Sequence, residues 1–279
     1  MQNNYSRRDF IKTTAAAVGA IGAGGLMSSS GCGKDITFAI PASVMNGIGS
    51  VSYSSTMDDY NKKQSVLTSG KHADWVRNTG DRIKISTELY MKEQGTSSKF
   101  DSKIMQYALI DDPTVNAWCM PGAHIAFYEG IMPLCYNEEG VAAVMGHEVA
   151  HAVYNHSGQR MAQQLALQLG ITSLSVALNR ISENDSAIQN IALQVFGLGG
   201  QLGLLAYSRK HEYEADKMGL FLMAKAGYDP RLAPGFWERM SSQFGKGGSD
   251  FLSTHPSNEK RRKELLNAMD EAVAMYEKA

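Results

Sequence analysis

The sequence has no uninterrupted stretch of about 18 or more apolar residues, so it offers no ordinary membrane-spanning helix. The nearest approach, AIQNIALQVFGLGGQLGLLAY from Ala187, is broken by Gln, Asn and Gly and reads as a buried or groove-lining helix. Charge of one sign is lacking too. The net charge is −1, with no basic run interleaved with aromatics, so nucleic acid is not an expected partner. There are only three cysteines. Beyond Cys32, Cys119 and Cys135 remain, and they would be either a disulfide in an oxidising compartment or two buried thiols, because spacing does not fix the Cα separation. No internal repeat or long low-complexity tract is present. What is left is ordinary globular composition, 43% hydrophobic and 20% charged over 279 residues, enough for one large domain or two small ones.

The first residues read as an address. SRRDFIK, Ser6 to Lys12, precedes a weakly apolar Ala/Gly-rich run and fits a twin-arginine export signal. SSSGC then ends the run at Cys32 and is similar to a bacterial lipobox, although Ser29 stands where Leu is usual. This predicts a leader over 1–31, a lipid-carrying Cys32, and a bacterial periplasmic protein held at a membrane through that residue. Residues 32–56 are small and polar and read as a tether.

From about Met57 to Gln94 apolar residues recur at helical spacing and predict two helices. Lys103–Asp112, TVNAWCM and HIAFYEG read as strands, the last two split by a turn at Pro121–Ala123. A short helix is expected over Ile131–Tyr136. NEEGVAAVMGHEVAHAVYNH is a strong helix, with Asn137 as N-cap and Glu138 and Glu139 in its first turn. Further helices are expected over Gly158–Asn179, Ala187–Ala206 and Ser208–Ala226, the last stopped by Gly227. A short helix in DPRLAPGFWERMSS and a loop with a terminal helix follow. The class is α+β, mostly helical, with a small sheet just before the GHEVAH helix.

His147 and His151 lie four apart, hence on one helical face, and can point at one ion. Glu148 is rotated about 100° from His147, placed to work on water rather than to bind metal. The flanks of this motif are uncharged, and an apolar helix does not bury two histidines and a glutamate without a partner. A zinc site follows. Tyr154 and Ser157 stand where a metzincin needs Gly and His, which excludes that class. His156 reads as local structure at a helix end. Later, SRKHEYEADKMGL offers Glu212 and Asp216 on one face, one able to bind zinc and the other to accept the free ring N–H of a ligand histidine; Glu214 points roughly away. A structural site normally has four protein ligands, and His255 could be the fourth.

HEVAH followed by EYEAD resembles the gluzincins of metallopeptidase family forty-eight, the group of CAAX prenyl endopeptidases, HtpX heat-shock proteases and periplasmic chaperone-proteases. NAWCMPGAHIAFYEGIM, HSGQRM and THPSNEKR also match, in the family's order. Ala123 replaces a usual Gly. The resemblance implies a metallopeptidase domain over 57–279, one zinc held by His147, His151 and Glu212, Glu148 as general base, and Asp216 as a histidine's partner. It also implies a substrate edge strand around Asn116, Ala117, Trp118, Gly122 and His124, paired with the substrate backbone by β-augmentation. A late histidine and arginine, here His255 and Arg261, lie over the active site in the family. His255 is then either an oxyanion donor or a plug on the open zinc position. The expected activity is zinc-dependent endoproteolysis of unfolded or misassembled envelope proteins. The competing expectation is a chaperone or binding module with a structural or self-blocked zinc. Envelope assembly machinery is an expected partner.

Overall fold

A computed structural model describes residues 40–97, 100–161, 208–245, 248–255 and 259–279. The leader, Cys32 and the helices expected over Gly158–Asn179 and Ala187–Ala206 lie wholly or largely outside these residues. The described fold opens with helix α1, Ala42–Lys62. Strand β1 (Val66–Leu67) and helix α2 (Lys71–Glu93) follow. Then come β2 (Gln106–Ile110), β3 (Ala117–Met120) and β4 (His124–Tyr128). Helix α3 is Met132–Cys135 and α4 is Glu138–Val153. After the undescribed stretch come α5 (Arg209–Lys225), α6 (Ala233–Phe244), α7 (Asp250–Thr254), α8 (Glu259–Asn267) and α9 (Met269–Tyr276). Among the described residues no helix is long and apolar enough to cross a membrane.

The mostly helical α+β class holds. The four strands form one sheet in the order β1-β2-β4-β3. β4 pairs with β2 in parallel and with β3 antiparallel, so β4 is interior and β3 is an edge. The three-residue turn between β3 and β4 runs through left-handed backbone, with φ of 87° at Gly122 and 58° at Ala123. That conformation favours glycine, which accounts for the usual Gly where Ala123 stands.

Residues 42–56, read as tether, are instead most of α1. Its face Val44, Met45, Ile48, Gly49, Ser52, Tyr53 and Met57 is buried. Gly49 meets the Pro121 backbone so closely that a Cβ would lie 1.9 Å from its carbonyl oxygen. The segment is helical because it docks, since its Ser and Gly residues give it little intrinsic helix preference.

α4 is the centre of the molecule. Asn137 caps it by accepting from the Gly140 N–H at 3.0 Å, and every residue from Gly140 to His151 is buried. A helix apolar on all sides must be covered on all sides. α5 lies across it at a glycine contact: a Cβ on Gly219 would sit 2.7 Å from the His147 nitrogen, and one on Gly146 2.6 Å from the Gly219 oxygen. α5 is capped by Ser208, which accepts from the His211 N–H, and ends as expected at Gly227, whose φ is 74°. Cys119 and Cys135 are free thiols.

Candidate metal centre

The close α4–α5 crossing sets carboxylates of one helix against imidazoles of the other. His147, His151, Glu212 and His255 are all buried, and one ligand atom from each lies within 4.8 Å of the rest. His147 Nε2 stands 3.1 Å from His151 Nε2 and 3.1 Å from His255 Nδ1. Glu212 Oε2 is 3.6 Å from His147 Nε2, and its Oε1 is 3.4 Å from His151 Nε2 and 3.3 Å from His255 Nδ1. Zinc bonded at about 2.0–2.1 Å in a tetrahedron has donors about 3.3 Å apart, and N and O donors suit it. The group therefore fits a zinc-sized cation.

The surroundings orient these donors. His147 Nδ1 lies 3.0 Å from Asp216 Oδ1, a carboxylate beside that nitrogen that favours the hydrogen there and the lone pair on Nε2, toward the group. Arg261 is buried and clamps the carboxylates. Its Nε and Nη2 donate to the two oxygens of Asp216 at 2.7 and 2.6 Å, and its Nη1 lies 2.6 Å from Glu212 Oε2. Burial disfavours the ionised form of Glu212 and Asp216, but Arg261 and the neighbouring imidazoles together outweigh it, His255 and His151 at Glu212 and His147 at Asp216, and hold both below the usual carboxylate range. Burial pushes the Glu148 carboxyl up, against the pull of His255. Burial also pushes His151 well down, keeping it neutral as a metal ligand must be.

His255 comes to the site through α7. Burial would lower its pKa, but Glu148 and Glu212 raise it. Its Nε2 is 3.2 Å from Glu148 Oε1. Phe251, one helical turn earlier, stacks on the His255 ring at 4.9 Å and on Trp237 at 5.8 Å. Trp237 also lies edge-on to His147 at 5.2 Å and over the Arg261 guanidinium at 4.4 Å. Reading the sequence missed Phe251 and Trp237. The four-residue spacing of Phe251 and His255 is the signal that could have paired the first of them with the site.

The structure brings together His147, Glu148, His151, Glu212, Asp216, His255 and Arg261. The strand residues separate. Ala117 and Trp118 are on edge strand β3, Asn116 precedes it, and Gly122 is in the turn. His124 is on interior strand β4 and faces α1: its Nε2 is 2.9 Å from Ser50 Oγ and its ring stacks on Tyr53 at 5.3 Å. Burial pushes its pKa down to about 4. With both neighbours paired, β4 cannot add a strand, so His124 does not lie on an edge strand, whereas Ala117 and Trp118 do among the described residues. Two readings also change, that of His156 as local structure at a helix end and that of Glu214 by helical angle. His156 touches His151, with Nδ1 to Nδ1 at 2.8 Å, and Glu214 reaches His156 Nε2 at 3.2 Å instead of pointing away from the site.

Comparison with known proteins agrees. Residues 82–269 match Peptidase family M48. The mitochondrial metalloendopeptidase OMA1 of Schizosaccharomyces pombe is 39% identical over 171 residues, covering 61% of this chain and 48% of that protein. OMA1 of Saccharomyces cerevisiae is 29% identical over 240 residues, 83% and 66% of the two chains. A putative beta-barrel assembly-enhancing protease of Vibrio cholerae is 30% identical over 160 residues, 56% and 32%. The chain thus spans less than two thirds of the length of these relatives. Residues 1–27 match a segment described as the TAT signal of the ubiquitinol-cytochrome C reductase Fe-S subunit. The bacterial periplasmic location expected from SRRDFIK and SSSGC, with anchoring through Cys32, is corrected by these matches, which run first to proteins named mitochondrial. With the family match running from inside α2 to the start of α9, and so enclosing every residue of the metal-binding group, the chain belongs to peptidase family M48.

Proposed function

We propose that this chain is a zinc-dependent endopeptidase that cuts extended segments of unfolded or misassembled proteins. The observation that carries the reading is the convergence of His147, His151 and Glu212 beside the buried carboxyl of Glu148. One zinc ion per chain, held by those three residues, would polarise the scissile carbonyl and make water a better nucleophile. Glu148 is the general base. Its raised pKa suits it to take a proton from water as the oxygen–carbon bond forms, and to return that proton to the nitrogen as the carbon–nitrogen bond breaks. Asp216 holds His147 in its Nε2-ligating tautomer, and Arg261 locks Glu212 and Asp216 together as a positioning residue. The edge strand β3, through the backbone of Ala117 to Met120, pairs with the substrate, which needs an extended partner more than a particular sequence.

His255 favours a second state of the same site. Its Nδ1 stands among the ligand atoms and its Nε2 on Glu148, so it occupies both the fourth donor position and the base. We read it as a plug that restrains the peptidase. A permanently plugged chain would be a binding or chaperone module.

Cleavage of unfolded casein at equal zinc loading tests both points. Glu148→Gln is expected to keep its zinc and lose cleavage; cleavage at the wild-type rate would sink the peptidase assignment. His255→Ala is expected to raise basal cleavage severalfold. A fall of about 10²–10³-fold would instead make His255 an oxyanion donor.

A further inference from the structure

We propose that Glu214 and His156 form a positioning chain that fixes the tautomer of His151, the counterpart of what Asp216 does for His147. The proposal rests on His151 being a metal ligand. The two ligand histidines are anchored differently. His147 meets a carboxylate directly, whereas His151 Nδ1 meets a second imidazole, His156 Nδ1, at 2.8 Å. Two ring nitrogens that close share one proton, so one donates and the other accepts.

Glu214 decides which. An ionised carboxylate only accepts, and Glu214 Oε2 is 3.2 Å from His156 Nε2, so that nitrogen carries the hydrogen. A neutral His156 then has its lone pair on Nδ1. The Nδ1–H of His151 donates to it, leaving the lone pair of His151 on Nε2, 3.1 Å from His147 Nε2 and 3.4 Å from Glu212 Oε1. The opposite arrangement would aim an N–H of His151 at the place where its lone pair is needed.

The ring that does this is held in place. His156 is fully buried and lies between Tyr154, stacked at 5.4 Å and 24°, and His211, stacked at 4.2 Å and 21°. Asn155, at φ 53°, turns the chain just past α4 so that His156 folds back over His151. Asparagine tolerates that left-handed conformation better than most residues. Alternate positions of α5 thus have separate tasks, with Glu212 toward the metal, Asp216 on His147 and Glu214 on His156.

The test uses the full chain, zinc competition with a chromophoric chelator, the visible spectrum of the cobalt-substituted protein, and the melting temperature without metal. His156→Phe keeps a flat ring in the stack and removes the acceptor. It is expected to weaken zinc binding about 10–100-fold and to change the cobalt bands. Glu214→Ala is expected to weaken binding in the same direction, and Glu214→Gln, which restores an accepting oxygen, to recover most of it. The double variant His156→Phe with Glu214→Ala is expected to be no weaker than His156→Phe alone, because both act through one chain. Wild-type affinity and cobalt spectrum in His156→Phe would overturn the proposal, as would losses that simply add in the double variant. If His156→Phe does not fold, the Glu214→Ala and Glu214→Gln pair decides on the half-exposed partner. Unchanged zinc affinity in His151→Ala would overturn the metal reading itself, a different result from failure of the chain alone.

Discussion

Glu212 and Asp216 share one arginine, yet their carboxylates have different work. Glu212 faces three imidazole nitrogens at 3.3–3.6 Å, whereas Asp216 faces one ring nitrogen of His147 and the fork of Arg261. Glu212→Gln removes an anionic donor from the metal. Asp216→Asn still presents an oxygen to His147 and weakens only its orientation, an effect of about 10–100-fold. Zinc content after dialysis against a weak chelator is expected to fall further in Glu212→Gln, and the reverse ranking would exchange the two roles. At this scale much was legible. Spacing of four placed His147 with His151 and Glu212 with Asp216. Glu214 was not legible, because helical angle says where a side chain leaves its helix and not what another segment brings to it. The turn at Asn155 brings His156 to Glu214.

The α4–α5 crossing is the element that makes the site, since ligands from both helices must stand within a few ångströms. Gly146 and Gly219 allow it by removing side chains from the contact. Gly219→Ala would press a methyl group onto the His147 backbone and force the helices apart. Overpacking of this kind costs about 1–3 kcal/mol, and here it also withdraws Glu212 and Asp216 from the histidines. We expect a lowered denaturation midpoint together with weakened zinc binding. Gly47→Ala is the contrast. It lies in α1 with nothing near its added Cβ, and should stabilise the fold by about 0.5–1 kcal/mol with zinc affinity unchanged. Equal behaviour of the two variants in chemical denaturation would remove the special status of the crossing.

Across the whole molecule, the metal-binding group ties together α4, α5 and the end of α7, so metal and stability are linked. A cation that binds only the folded chain at 100 times its Kd stabilises by about 2.7 kcal/mol. For a domain of this size that corresponds to roughly 5–10 °C in Tm. A strong chelator is expected to lower Tm by that order in the wild type and to leave His151→Ala unmoved. A wild-type Tm indifferent to chelator would mean that no metal bridges these helices.

The sequence by itself determined the helix of GHEVAH, the acidic helix that answers it, the strand-turn-strand before them and the helix stop at Gly227, because periodicity, capping and glycine chemistry are local. It could not determine α1, whose Ser- and Gly-containing face is ordered by docking on the Pro121 turn. Nor could it choose between β3 and β4 as the edge, because both read as strands and only the parallel pairing of β2 with β4 takes β4 out of reach. The position of His255 was equally undecided. Tertiary structure placed it between Glu148 and the ligand atoms: the four-residue spacing pairs Phe251 with His255, but Trp237 joins their stack from a separate helix, and a contact between helices leaves no mark in the spacing within either.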